Sequence, residues 1–136
     1  MGLFNKLFNS DSNESKGGEG TKSTGDLPWI ELNTLAQLEE IKERSKTKTQ
    51  FIFKHSTRCG VSRMVISQFK KDYQLEEGQA DLYYLDLLNH RDISNAIANQ
   101  FNVMHESPQL LVLKNGVVVK HDSHGSINSL QLDTFV

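Results

Sequence analysis

The sequence predicts a single α/β domain in which a central mixed β-sheet is flanked by helices on both faces. Three observations carry this. Short apolar runs of strand length alternate with segments of helical period. Two of those runs, Phe51-Ile52-Phe53 and Leu82-Tyr83-Tyr84-Leu85, are apolar throughout, as strands buried on both faces are. Two β-branched runs flank Lys114-Asn115-Gly116, and Asn-Gly in that setting is the strongest short-range hairpin pattern. The element order is β-α-β-α-β-α-β-β-α. Strand–helix alternation brings parallel crossovers, and the hairpin adds antiparallel strands.

The chain has 136 residues, enough for one domain with its own core. A net charge of -2 leaves no electrostatic footprint for nucleic acid. No apolar run has the length needed to span a bilayer, and the apolar stretch at the start is too short for a secretory signal. One cysteine cannot form an internal disulfide, which fits a reducing, cytoplasmic location.

Residues 1–26 are expected to be a disordered leader. Residues 1–8 form a small amphipathic patch, too short to hold a helix in water, and residues 9–25 contain no large apolar side chain. The domain is expected over residues 27–136. Trp29-Ile30-Glu31-Leu32 reads as a short edge strand. Thr34 and Gln37 have capping-box spacing, and Leu35, Leu38 and Ile41 then give an amphipathic helix to about Arg44. Residues 50–54 form a central strand. The next helix has Val61, Met64, Val65, Phe69 and Tyr73 on one face and is expected to end near Leu75, before Glu76-Glu77-Gly78. Residues 82–85 are a strand. Residues 89–101 are a helix with Ile93, Ala96, Ile97 and Phe101 on one face, and a loop ends at Pro108. The hairpin follows, and residues 127–135 are expected to form a final short helix.

The lone cysteine, Cys59, falls at the turn between the central strand and the second helix. The first N–H groups of a helix lack intrahelical partners, and the helix dipole is positive there. A thiolate is therefore favoured over a thiol, and cysteines so placed are reactive. The plainer alternative, a small buried hydrophobe, suits a cysteine in mid-strand or mid-helix better. The carboxyl end of a central strand is also where open α/β sheets place their chemistry.

With Cys59-Gly60-Val61-Ser62 before the second helix and Ser107-Pro108 before the hairpin, the order resembles the thioredoxin fold. The resemblance implies that Pro108 is cis and faces the cysteine, with the Ser107 backbone offered to a bound thiol compound. More narrowly, Phe51-Ile52-Phe53-Lys54-His55-Ser56-Thr57-Arg58-Cys59-Gly60-Val61-Ser62, with Ser107-Pro108-Gln109 and Lys114-Asn115-Gly116, resembles the monothiol bacilliredoxins of the bacillithiol system. Gly60 is a departure, since many of those relatives carry proline there.

What this resemblance implies is de-bacillithiolation. Cys59 would attack a mixed disulfide between a protein and bacillithiol, with no bound cofactor and with bacillithiol as co-substrate. Ser62 stands where thioredoxins carry a second cysteine, so a one-cysteine cycle is implied. Thr57, Arg58, Gly60, Val61, Ser107 and Pro108 would line the substrate groove. Ser62 lies on the same helical side as Cys59, and its hydroxyl either donates to the thiolate or is a plain first-turn polar residue. Arg58 either meets the substrate or is a solvated surface charge. Lys54 and His55 either supply positive charge or simply close the strand.

Phe53 stands where thioredoxins often bury an acid. His121-x-x-His124 is not expected to hold a metal, because strand geometry points the two side chains apart and no further ligand clusters with them. Two rival functions remain open at this level. Cys-Gly-Val-Ser is one residue from the Cys-Gly-Phe-Ser of iron–sulfur-carrying monothiol glutaredoxins, although the Gly-Gly-x-Asp segment after their hairpin is missing here. The other is a redox-inert module that binds extended peptides beside Pro108.

Overall fold

A computed structural model describes residues 27–136, and the expectation of a leader over residues 1–26 lies outside the described residues. The elements are β1 (Trp29–Glu31), α1 (Ala36–Arg44), β2 (Thr49–His55), α2 (Gly60–Asp72), β3 (Ala80–Asp86), α3 (Arg91–Phe101), β4 (Gln109–Lys114) and β5 (Val117–Ser123). Two 3₁₀ turns, His124–Ser129 and Leu132–Phe135, follow. The five strands lie in the order β1-β3-β2-β4-β5. β1 and β2 each run parallel to β3, while β4 runs antiparallel to both β2 and β5. The expected mixed sheet is thus formed, with β2 at its centre.

Every residue of β2 is buried, and the alternation of its side chains divides the core. Ile52 packs with Leu38 and Ile41 of α1, Ile93 and Ile97 of α3, and Leu111. Phe51 and Phe53 pack on the opposite face with Val65, Ile66 and Phe69 of α2. Helices therefore cover both faces. Phe51 and Phe53 are 0% exposed, and full burial of such a side chain stabilises by about 1.5–3 kcal/mol. On the α2 face Trp29, Phe53, Phe69 and Tyr84 form an aromatic cluster, with Trp29 edge-on to Phe53 at 6.0 Å and to Tyr84 at 5.6 Å.

The ends of the elements follow local chemistry. Gln37 Oε1 accepts the N–H groups of Asn33 and Thr34, at 2.8 and 3.0 Å, which is the glutamine half of the expected capping box. The Thr34 hydroxyl also turns to Gln37 Oε1, at 3.2 Å, and does not cap the helix backbone. Asn115 and Gly116 both have positive φ, 56° and 82°, as the tight hairpin turn requires. The hairpin tip is tied to the end of α1, where Ser45 accepts the Asn115 N–H through its carbonyl (2.7 Å) and the Gly116 N–H through Oγ (2.8 Å).

Three expectations are corrected. The inward stripe of α2 is Ser62, Val65, Ile66 and Phe69, while Val61 and Met64 face solvent. Val65 and Phe69 suit either stripe. Ser62 takes the inward place because a polar partner awaits it there. α2 ends at Asp72, not near Leu75, because Tyr73 leaves the helix in extended conformation (ψ 120°) and turns back with Leu75 onto the core. The final helix is instead two 3₁₀ turns. Ile127, Leu130, Leu132 and Phe135 all pack on the α2 face, and that spacing does not follow one stripe of a 3.6-residue helix.

Candidate active site

Cys59 is the residue before the first turn of α2, in extended conformation (φ -99°, ψ 122°). It is a free, partly exposed thiol and makes no cap hydrogen bond through its side chain. Its position is fixed by backbone: the Cys59 N–H donates to the Ser56 carbonyl at 3.2 Å, and the Cys59 carbonyl accepts the Arg63 N–H at 3.0 Å. Arg63 also donates from Nη1 to the Thr57 carbonyl at 3.0 Å, which steadies the turn between β2 and α2. Thr57, Arg58, Gly60 and Val61 are exposed around the sulfur-bearing residue. A Cβ built at Gly60 meets only the end of the Arg63 side chain, at 3.9 Å, so nothing in the packing demands glycine there.

Ser62 is fully buried. Its Oγ accepts the Ser56 N–H at 3.1 Å and lies 2.7 Å from His55 Nδ1. The hydroxyl that the spacing placed beside the sulfur is therefore engaged inward, with the last residue of β2 and the first of the turn. Either neutral tautomer of His55 satisfies this contact. Burial holds the His55 pKa below the ordinary histidine value, with the Lys70 and Arg63 charges acting in the same direction and the Asp86 carboxylate against them. His55 packs against the Phe53 and Tyr84 rings, with centroids 6.5 and 5.7 Å away.

The second half of the site is the segment entering β4. The Ser107–Pro108 peptide bond is cis, and Pro108 is buried. Gln109 pairs with Lys54 across the sheet, so Pro108 lies at the level at which β2 gives way to the Cys59 turn. The Pro108 carbonyl accepts the His124 N–H at 3.0 Å. Ser107 Oγ is buried and has no hydrogen-bond partner among the described residues.

Lys54 is the residue that sequence reasoning underread. It is 0% exposed, and its Nζ lies 3.2 Å from His105 Nδ1 in the loop before Pro108. Ser94 Oγ of α3 lies 3.0 Å from the same ring nitrogen. The pattern that shows residues 50–54 as a strand buried on both faces already implies a buried Lys54 in need of a partner, but it does not name His105. The remaining histidines are elsewhere: His90 immediately precedes α3, His121 is on β5 and His124 opens the first 3₁₀ turn with φ 54°. No group of three or more metal-ligating side chains forms among the described residues. A cleft of about 490 Å³ lined by Asp72, Tyr73, Leu75 and Leu130 lies at the far end of α2 from Cys59 and takes no part in this geometry.

Sheet order, helix placement and a lone cysteine opening the second helix define a thioredoxin-fold protein. Solved structures agree. The chain is similar to a protein described as a candidate oxidoreductase with a thioredoxin fold, at 39% identity over 78% of this chain and 91% of that one, with a TM-score of 0.66. It is also similar to the thioredoxins of Malassezia sympodialis (19% identity, 79% and 88% covered, TM-score 0.60) and Schistosoma mansoni (24%, 79% and 92%, 0.57). At those identities the likeness shows the fold alone. The family model described as monothiol bacilliredoxin BrxC matches residues 30–132, and the chain belongs to that family. Family and fold together support a redox function. No helix among the described residues is long and apolar enough to cross a membrane.

Proposed function

We propose that this protein is a cytoplasmic thiol–disulfide oxidoreductase that removes bacillithiol from mixed disulfides, with Cys59 as its nucleophile. The observation that carries the reading is a single partly exposed thiol at the start of α2, with Ser62, not a second cysteine, three residues on. The thiolate of Cys59 attacks the bacillithiol sulfur of a protein–bacillithiol disulfide. The old S–S bond breaks, the protein sulfur leaves as thiolate, and a Cys59–bacillithiol disulfide forms. Free bacillithiol, as thiolate, then attacks that disulfide. Cys59 is regenerated, bacillithiol disulfide leaves, and the two electrons have come from bacillithiol. Ser62 cannot take the resolving step, because a hydroxyl forms no disulfide.

Cys59 stands just before the first turn of α2, where the leading backbone N–H groups lack intrahelical partners. Thr57, Arg58, Gly60 and Val61 rim the sulfur, and the Ser107–Pro108 segment supplies the facing edge of the groove. No bound cofactor enters this cycle; bacillithiol and S-bacillithiolated proteins are its partners. Cys59→Ser is expected to abolish reduction of a bacillithiolated protein while leaving the circular dichroism spectrum and unfolding midpoint intact. Activity persisting in that variant overturns Cys59 as the nucleophile.

A further inference from the structure

Lysine is almost never fully buried without a carboxylate partner. Lys54 sits in the central strand with 0% exposure, and its side-chain partner is His105 Nδ1. An ammonium has hydrogens to give and nothing with which to accept. With Lys54 protonated, His105 Nδ1 is the acceptor of the bond from Lys54 Nζ at 3.2 Å, and the Ser94 hydroxyl lies 3.0 Å from the same nitrogen. The ring is then neutral, with its proton on Nε2.

Lys54 does not act alone. Gln109, directly opposite it in the β2–β4 register, donates from Nε2 to the Met104 carbonyl at 2.9 Å. Two side chains from one face of the sheet thus grip consecutive residues, Met104 and His105, just before Ser107–Pro108. Val103 packs in the core and Pro108 is buried, but between them apolar packing gives little hold: Met104 is 80% exposed and His105 is also exposed. A leucine or methionine at position 54 would fill the core without the cost of a buried charge. What such a residue cannot do is hold the imidazole.

We propose that Lys54 is a positioning residue for thiol exchange, holding through His105 the 102–108 segment whose Ser107–Pro108 edge receives the mixed disulfide. This rests on the exchange reading given above. Lys54 touches neither the sulfur nor the substrate in this scheme, so it sets the geometry of binding and not the reactivity of Cys59.

The test uses the full chain. Lys54→Met is expected to raise KM for a bacillithiolated protein about tenfold, with kcat and the rate of Cys59 alkylation by iodoacetamide unchanged within about twofold. His105→Ala should do the same, and the double variant should be no worse than either single one. His105→Asn, which offers Oδ1 where Nδ1 stood, should restore KM to near the wild-type value. Imidazole nitrogen shifts of the free wild-type protein should show His105 as the neutral Nε2–H tautomer and should move in Lys54→Met. Unchanged KM in both Lys54→Met and His105→Ala, or alkylation slowing in step with turnover, overturns the proposal. So does an Nδ1–H tautomer. The tautomer is read without substrate, so it decides the network even if the wild-type protein fails to turn over the mixed disulfide, a result that would sink the exchange reading by itself.

Discussion

Lys54 and His55 are neighbours in sequence, both buried, and they serve opposite faces of the sheet. His55 turns toward α2 and meets Ser62, under the turn that carries Cys59. Lys54 turns toward α3 and meets His105, under the loop that carries Pro108. The first contact lies among aromatic rings, with the Asp86 carboxylate near enough to act on His55. The second places a cation beside an imidazole. The pleat of one strand thus distributes support to both halves of the site. The two supports differ in kind, one a compact neutral contact and the other a buried charge kept at a cost.

That difference has a measurable consequence in alkali. Burial lowers the Lys54 pKa from 10.5 to about 8. Below pH 8 the lysine is protonated in both folded and unfolded chains, and the cost of burying its charge is borne in full. Between about pH 8 and 10.5 the unfolded chain holds more protons, so stability rises with pH. Across that window the wild type should gain on the order of 3 kcal/mol relative to Lys54→Met. Urea unfolding of both proteins at several pH values measures it. A difference between them that stays flat with pH means that Lys54 is not buried as a charge. Below pH 6.5 both supports contribute. Burial holds His55 and His105 each below the ordinary histidine pKa, so the unfolded chain protonates first and stability falls as pH falls.

Ser62→Ala probes the neutral support directly. It leaves the Ser56 N–H and His55 Nδ1 buried without their partner, at a cost of about 1–3 kcal/mol in urea unfolding. A loss below about 0.5 kcal/mol would show that the turn is held by its backbone bonds alone. Gly60→Pro carries the smallest effect. Gly60 is the first helical residue, Cys59 before it is already extended, and a Cβ at position 60 has room. Proline there should stabilise by about 0.4–1 kcal/mol, and destabilisation would contradict the described start of α2.

Much of this was legible in the sequence, and the exceptions have a common cause. The succession of strands and helices along the chain followed from the apolar runs at Phe51 and Leu82 and from Asn115-Gly116, because those patterns are local. The place of Cys59 at a helix start was equally local. The inward turn of Ser62 was not, because its partner His55 and the stripe of α2 are settled together. Val61 and Met64 read as core for the same reason: a period fixes spacing but leaves phase to the tertiary partner. Lys54 read as a strand end because its partner, His105, is far along the chain. The last helix broke into 3₁₀ turns because Ile127, Leu130, Leu132 and Phe135 pack onto a surface whose shape the local pattern does not carry.

The proposed cycle turns on Cys59 as the sulfur that accepts bacillithiol. Mass spectrometry of the intact protein after exposure to bacillithiol disulfide, with glutathione disulfide as the parallel arm, tests it most directly. A single bacillithiol adduct is expected, mapped to Cys59 and released by a reducing thiol, forming faster than the glutathione adduct. No adduct at Cys59, or one that forms no faster than on an unfolded control, would contradict it.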